Sequence, residues 1–177
     1  MPIEFHDAEA VERLGFAAFL RLEIVGDVAY GALLFVNARG EPQEFVFNHL
    51  ELLNEVLWRG ADREMGAGRR LCASLFASAT LAPRFLLFRA EVAAALWSEA
   101  GGISLHIPAG AVTRATENED GAFETFDGEG EVIWTRVEWS FGAPEGELFG
   151  LLTQRGLIWE PFERAGAGLR EAFGELE

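Results

Sequence analysis

Residues 31–47 read GALLFVNARGEPQEFVF. Two apolar runs flank the polar segment NARGEP (37–42), which is the pattern of a β-hairpin. The first arm extends back to VAYGALLFV (28–36), apolar on both alternations, and predicts a central strand covered on both faces. The second arm, QEFVFNHL (43–50), is part polar and belongs nearer an edge. Upstream, FAAFLRLEIV (16–25) alternates at its end, Leu20, Leu22 and Ile24 against Arg21 and Glu23, and reads as a strand turned by Gly26-Asp27 into the hairpin. The opening is therefore a three-strand meander.

Around it, Asp7 is a suitable N-cap for a short helix, Ala8 to Leu14, which Gly15 ends. ELLNEVLW (51–58) predicts a short helix. ADREMGAGRRLCASLFASA (61–79) predicts a longer one, with Met65, Cys72, Leu75, Phe76 and Ala79 near one stripe and Gly66, Ala67 and Gly68 permitting close approach to a sheet. RFLLFR (84–89) reads as a short buried strand, AEVAAALWSEA (90–100) as a helix and GISLHIP (102–108) as an alternating strand. AVTRAT (111–116) and AFETF (122–126) flank a hairpin signal at Asp120-Gly121, and EVIWTRVEWSF (131–141) reads as a long strand. Two helices finish the chain, 144–156 and 161–176. The second carries Pro161 at its first position and Phe162, Ala165, Leu169, Phe173 and Leu176 on one face. The fold class expected is α/β, with α+β as the variant. It comprises one mixed sheet with an antiparallel meander, crossover helices, a C-terminal hairpin and strand, and two C-terminal helices. A single domain over 1–177 is expected, with 16–107 as its core unit.

The composition of the 177 residues, half of them apolar and 15 of them Phe, suits an ordinary globular core. No apolar run approaches the roughly 18 residues that span a bilayer. The N-terminal MPIEFHDAEAVERLG is acidic and unlike a signal peptide, so a cytoplasmic location is expected and a membrane is not. The lone Cys72 excludes an internal disulfide and reads as a buried structural thiol. The net charge of −15 repels phosphate backbones, which makes nucleic acid an unfavoured partner. All 14 basic residues are arginine, which removes P-loop binding, Schiff-base chemistry and Ser–Lys catalysis, since each needs an ammonium.

The order through residue 107 is strand, strand, strand, helix, strand, helix, strand, and it resembles the ribonuclease H-like fold in topology. That resemblance implies carboxylates on the first strand, on the first long helix and after the fourth strand, holding two divalent ions, Mg or Mn, that activate water. The matching positions are Glu23 (or Asp27), Glu64 and Glu91. The first-strand position is Glu or Asp27 beyond the strand, and Arg89-Ala90-Glu91 stands where the family has an Asp-containing strand end. The structural reading of the same residues pairs Glu23 with Arg21 and places Glu64 and Glu91 at helix N-termini.

Other candidates are sparser. TENEDGAFETFD (116–127) has the outline of a calcium loop, with Asn118, Asp120 and Gly121 at its third, fifth and sixth places and Asp127 at its twelfth. Thr116 fills the first place, where Asp is needed, so an acidic hairpin with incidental calcium or magnesium binding is the plainer reading. His49 and His106 lie on predicted strands without metal-ligand spacing. Arg69-Arg70 reads as a solvated helix face. The tryptophans are numerous, five in all. A strand face bearing Trp134 and Arg136, together with Trp159, suits contact with another protein, against the alternative that a C-terminal helix covers it. The function expected is an acidic interaction or accessory protein without catalytic machinery or cofactor, binding another protein or itself. The alternatives are a metal-dependent phosphodiester hydrolase using Glu23, Glu64 and Glu91, and an acidic mimic of nucleic acid presenting 117–131.

Overall fold

The structure is a computed structural model that describes residues 8–54, 56–89, 115–117, 123–126, 132–135, 144–174 and 176. The meander forms as its pattern predicts. β1 (Ala17–Val25) pairs antiparallel with β2 (Val28–Val36), and β2 pairs antiparallel with β3 (Pro42–Glu51). The turn between β2 and β3 is organised by the buried Asn37. Its Oδ1 accepts from the backbone N–H groups of Arg39 and Glu41 at 2.9 and 3.0 Å, and its Nδ2 donates to the Glu41 carboxylate at 2.7 Å. Gly40 supplies the positive φ of +78° that closes this turn.

After β3 the chain crosses the sheet in α2 (Gly60–Ser78) and returns as β4 (Phe85–Arg89), parallel to β1. β5 (Ala115–Glu117), β6 (Phe123–Phe126) and β7 (Val132–Thr135) extend the sheet antiparallel on the far side of β4. The order of the described strands is β3-β2-β1-β4-β7-β6-β5. The mixed α/β sheet expected from sequence is therefore present. The predicted elements at 90–100 and 102–108 lie outside the described residues, as do residues 136–141.

Alternation divides the core into two layers. Ala17 and Phe19 of β1, Ala32, Leu34 and Val36 of β2, and Phe85 and Leu87 of β4 point to one face. That face is covered by α1 (Ala8–Leu14), α3 (Pro144–Gln154) and α4 (Glu160–Phe173). Ala18, Leu20, Leu33, Phe35, Leu86 and Phe88 point to the other, covered by α2. Each fully buried Phe or Leu contributes about 1.5–3 kcal/mol, so both layers stabilise the sheet. The stripe and face of α4 follow the predicted Phe162, Ala165 and Leu169.

Two details differ from expectation. The helix expected over 51–58 is not formed: Glu51 ends β3, and residues 52–54 and 56–58 are irregular backbone and turn. The eight-residue run is too short to nucleate one alone, and Asn54 bonds its own turn instead, accepting from the Val56 N–H at 2.8 Å. On α2, the buried stripe is Arg63, Ala67, Gly68, Leu71, Cys72 and Leu75, rotated away from Met65. Close approach to the sheet is made by Gly31 of β2, where a Cβ would lie 2.8 Å from Leu71 Cγ. Gly66 faces open space.

Candidate functional site

Of the carboxylates singled out for metal chemistry, Glu23 and Glu64 are not brought together. Glu23 lies on the α4 face of β1, where it accepts from Arg21 Nε at 2.5 Å. The β1 side chains turned toward α2 are Ala18, Leu20 and Leu22, none of them a metal ligand. Glu64 is exposed on α2, with the sheet between it and Glu23. Asp27 accepts from Arg63 Nη2 at 3.0 Å in the turn after β1. Glu91 lies outside the described residues, as do Asn118, Asp120 and Asp127. Among the described residues, no group of three His, Cys, Asp or Glu side chains is placed to hold a metal ion.

Of the predicted contact residues, Trp159 is half-buried against the core layer, its ring centroid 6.3 Å from that of Phe162. Trp134 stands on β7, an interior strand, in register with Phe88 and Glu124. Arg136 lies outside the described residues. Cys72 is buried beneath α2, and burial pushes its thiol up to about 12. His49 stacks on Tyr30 at 6.1 Å and meets Phe173 edge-on at 4.8 Å. His106, its proposed companion, lies outside the described residues.

The surface that does stand out is the turn between β3 and α2. Val56, Leu57 and Trp58 are 89%, 78% and 50% exposed, three apolar side chains in succession. The turn that carries them is anchored. Leu52 N–H donates to the Asp27 carbonyl at 2.7 Å, and Leu57 N–H donates to the Asn54 carbonyl at 3.2 Å. Arg63, itself buried, reaches from the first turn of α2. Its Nε donates to the Leu53 carbonyl while its Nη2 holds Asp27. A guanidinium can serve two acceptors at once because its donors form a rigid fork. Behind the turn lies a cleft of about 540 Å³, whose wall includes Asp27, Glu51, Asn54 and Arg63, with Val56 on the rim.

This arrangement can bind but brings no nucleophile and base together. An apolar knob sits beside a cleft of mixed lining, Val28, Leu52 and Leu53 with Glu51, Asn54 and the Asp27–Arg63 pair, on a chain of net charge −15. It matches the anatomy of a protein contact, an apolar centre with a polar rim. The signal in the sequence was NEVLW (54–58): an asparagine that favours a turn and, after Glu55, three consecutive apolar residues. No family model matches the chain, and no curated protein matches it. Among the described residues, no helix is long and apolar enough to cross a membrane.

Proposed function

We propose that this chain is an acidic, cytoplasmic protein-binding module that docks a partner protein on the Val56–Leu57–Trp58 turn and acts as an accessory subunit. The observation that carries the reading is the consecutive exposure of these three side chains on a turn held by Arg63. Leaving such residues in water forgoes about 1.5–3 kcal/mol each, a cost that a partner's apolar pocket recovers. Trp is among the residues that dominate interface energies when buried. The net charge favours a partner with basic residues around that pocket.

The β3-β2-β1-β4 order, with β4 parallel to β1, supports the resemblance to the ribonuclease H-like arrangement. We propose that the chain keeps that sheet without its metal-dependent hydrolysis, since the β1 side chains facing α2 are apolar. The mimic reading rests on 117–131, most of which lies outside the described residues.

The test compares the wild-type chain with Val56→Ser/Leu57→Ser/Trp58→Ser as bait in extracts of the native host. Because the three residues are exposed, the variant is expected to unfold at nearly the wild-type midpoint. A protein retained by the wild type and lost by the variant is the expected result. A partner held equally by both, or hydrolysis of nucleic acid by purified protein that needs Mg or Mn and is lost in Glu64→Gln, would overturn the proposal.

A further inference from the structure

We infer that two copies of this chain associate through β3, antiparallel about a two-fold axis at Phe47, so that their sheets become continuous. This surface is separate from the Val56–Trp58 turn.

Among the described strands, β3 is terminal in the sheet order, and it is ten residues long. Between Phe45 and Leu50 it carries few of the usual protections of an exposed edge. It has no lysine, its proline stands at its first position, and its bulge lies at the Gln43 end, where Val36 pairs with Pro42 and Phe35 with Glu44. The direction of its backbone groups follows from one bond. Leu52 N–H points back at the Asp27 carbonyl, on the β2 side. Backbone groups alternate along a strand, so residues 50, 48 and 46 also turn toward β2. The N–H and C=O groups of Phe45, Phe47, His49 and Glu51 therefore face outward.

The side chains of Phe45, Phe47 and His49 among these positions form an aromatic row on the α4 face. Phe47 is 46% exposed, with Phe45 at 5.5 Å and Phe173 at 5.6 Å between ring centroids, and His49 continues the row to Phe173. The other face of β3 is committed within the chain. Glu44 bonds Thr80 and Leu81, and Asn48 bonds Ser74 at 2.6 Å.

A second copy fits this edge in a narrow choice of registers. Antiparallel partners with both sets of groups outward must pair odd with odd positions. A two-fold axis at Phe47 sets Phe47 against its own counterpart, Phe45 against His49, Val46 against Asn48 and Glu44 against Leu50. No carboxylate then opposes a carboxylate. Moving the axis to Val46 carries the partner's residues beyond 48 past the bulge at Gln43, where the Glu41 carbonyl turns back to Asn37 N–H, and so shortens the pairing to 44–48. Moving it to Asn48 takes Phe47 off its own counterpart and sets Phe45 against Glu51, an aromatic against a carboxylate. The edge is thus self-complementary at Phe47. The remaining opposition is long-range, since both copies carry −15, and salt screens it. Dimerisation should therefore strengthen as ionic strength rises.

The experiment is light scattering after gel filtration over a concentration series at low and high salt, on wild type, Phe47→Asp and the triple serine variant of the turn. Wild type should dimerise, more so in high salt. Phe47→Asp should weaken the dimer by at least about tenfold, since it places two carboxylates across the axis. The triple variant should dimerise as wild type does. Phe47→Cys should oxidise to a covalent dimer and His49→Cys should not, because only position 47 meets itself. The native Cys72 is buried and stays silent. The cysteine pair decides the matter if Phe47→Asp fails to fold. A wild type that remains monomeric throughout overturns the inference. So does a dimer that survives Phe47→Asp, a dimer lost only in the triple variant, or an edge that binds a foreign chain while copies of this one stay apart. Failure of the turn as a partner site would leave the triple variant dimeric and the β3 result intact, so the two proposals fail separately.

Discussion

Arg21 and Glu23, two residues apart on β1, form an ion pair at 2.5 Å beneath α4, and the same guanidinium donates Nη1 to the Phe162 carbonyl at 3.0 Å. A single arginine thus ties a strand carboxylate to the first turn of a C-terminal helix 141 residues away. Gly166 leaves room for it, since a Cβ there would lie 2.7 Å from Arg21 Cζ.

Replacing Arg21 by Met removes the bond to α4 and leaves Glu23 half-buried without this partner. The expected loss is about 1–3 kcal/mol, read as a lower urea midpoint at unchanged slope. Glu23→Gln, which keeps an acceptor, should cost less. An Arg21→Met protein as stable as wild type would show that α4 is held by its apolar face alone.

Gly31→Ala tests the close approach of α2 to β2. The new methyl would lie within 2.9 Å of Leu71 and Leu75 side-chain atoms inside the core. Overpacking of this kind costs about 1–3 kcal/mol. With Leu71→Ala added, the double variant should lose less than the sum of the two single losses, because the smaller side chain makes the space.

Glu44 links β3 to the end of α2. Burial pulls its carboxyl upward, but the N–H groups of Thr80 and Leu81 and the Thr80 hydroxyl outweigh that and hold it below its ordinary value. A carboxyl lowered in the folded state stabilises fully above its unfolded pKa, and that contribution is lost as pH falls through the folded one. Wild type should therefore exceed Glu44→Gln by about 1 kcal/mol at neutral pH. The gap should close in acid, below the ordinary carboxylate range. A gap independent of pH would show that charge has no part in the link.

Cys72, with its thiol pushed up to about 12, should resist thiol reagents in the folded protein at mildly alkaline pH and react once the chain is unfolded in urea. Rapid labelling of the native protein would mean that α2 lifts from the sheet.

Arg63→Met should loosen the turn between β3 and α2. Amide exchange across 52–58 is expected to accelerate, while exchange in β1 and β2 stays slow. If the turn keeps its protection, the Asn54 bonds suffice to hold it.

The meander was legible because its cues are local. VAYGALLFV is apolar on both alternations, NARGEP contains the asparagine and glycine that close its turn, and the more polar QEFVFNHL took the edge. The C-terminal helices carried equally local cues in Pro161 and the spacing of Phe162, Ala165 and Leu169. ELLNEVLW misled because an apolar eight-residue run satisfies a helical pattern as readily as a turn, and only the Asn54 and Arg63 bonds choose between them.

Periodicity and turn chemistry act over a few residues, so the meander strands, their order and the acidic charge could be read from the chain alone. Only the tertiary structure decided which side of the sheet each helix takes. That choice separates Glu23 from Glu64, half-buries Trp159 against the α4 layer and leaves Val56, Leu57, Trp58 and Phe47 exposed. Those outcomes depend on packing between segments far apart in the chain, such as Gly31 against Leu71 and Arg21 against Phe162, which no local pattern encodes.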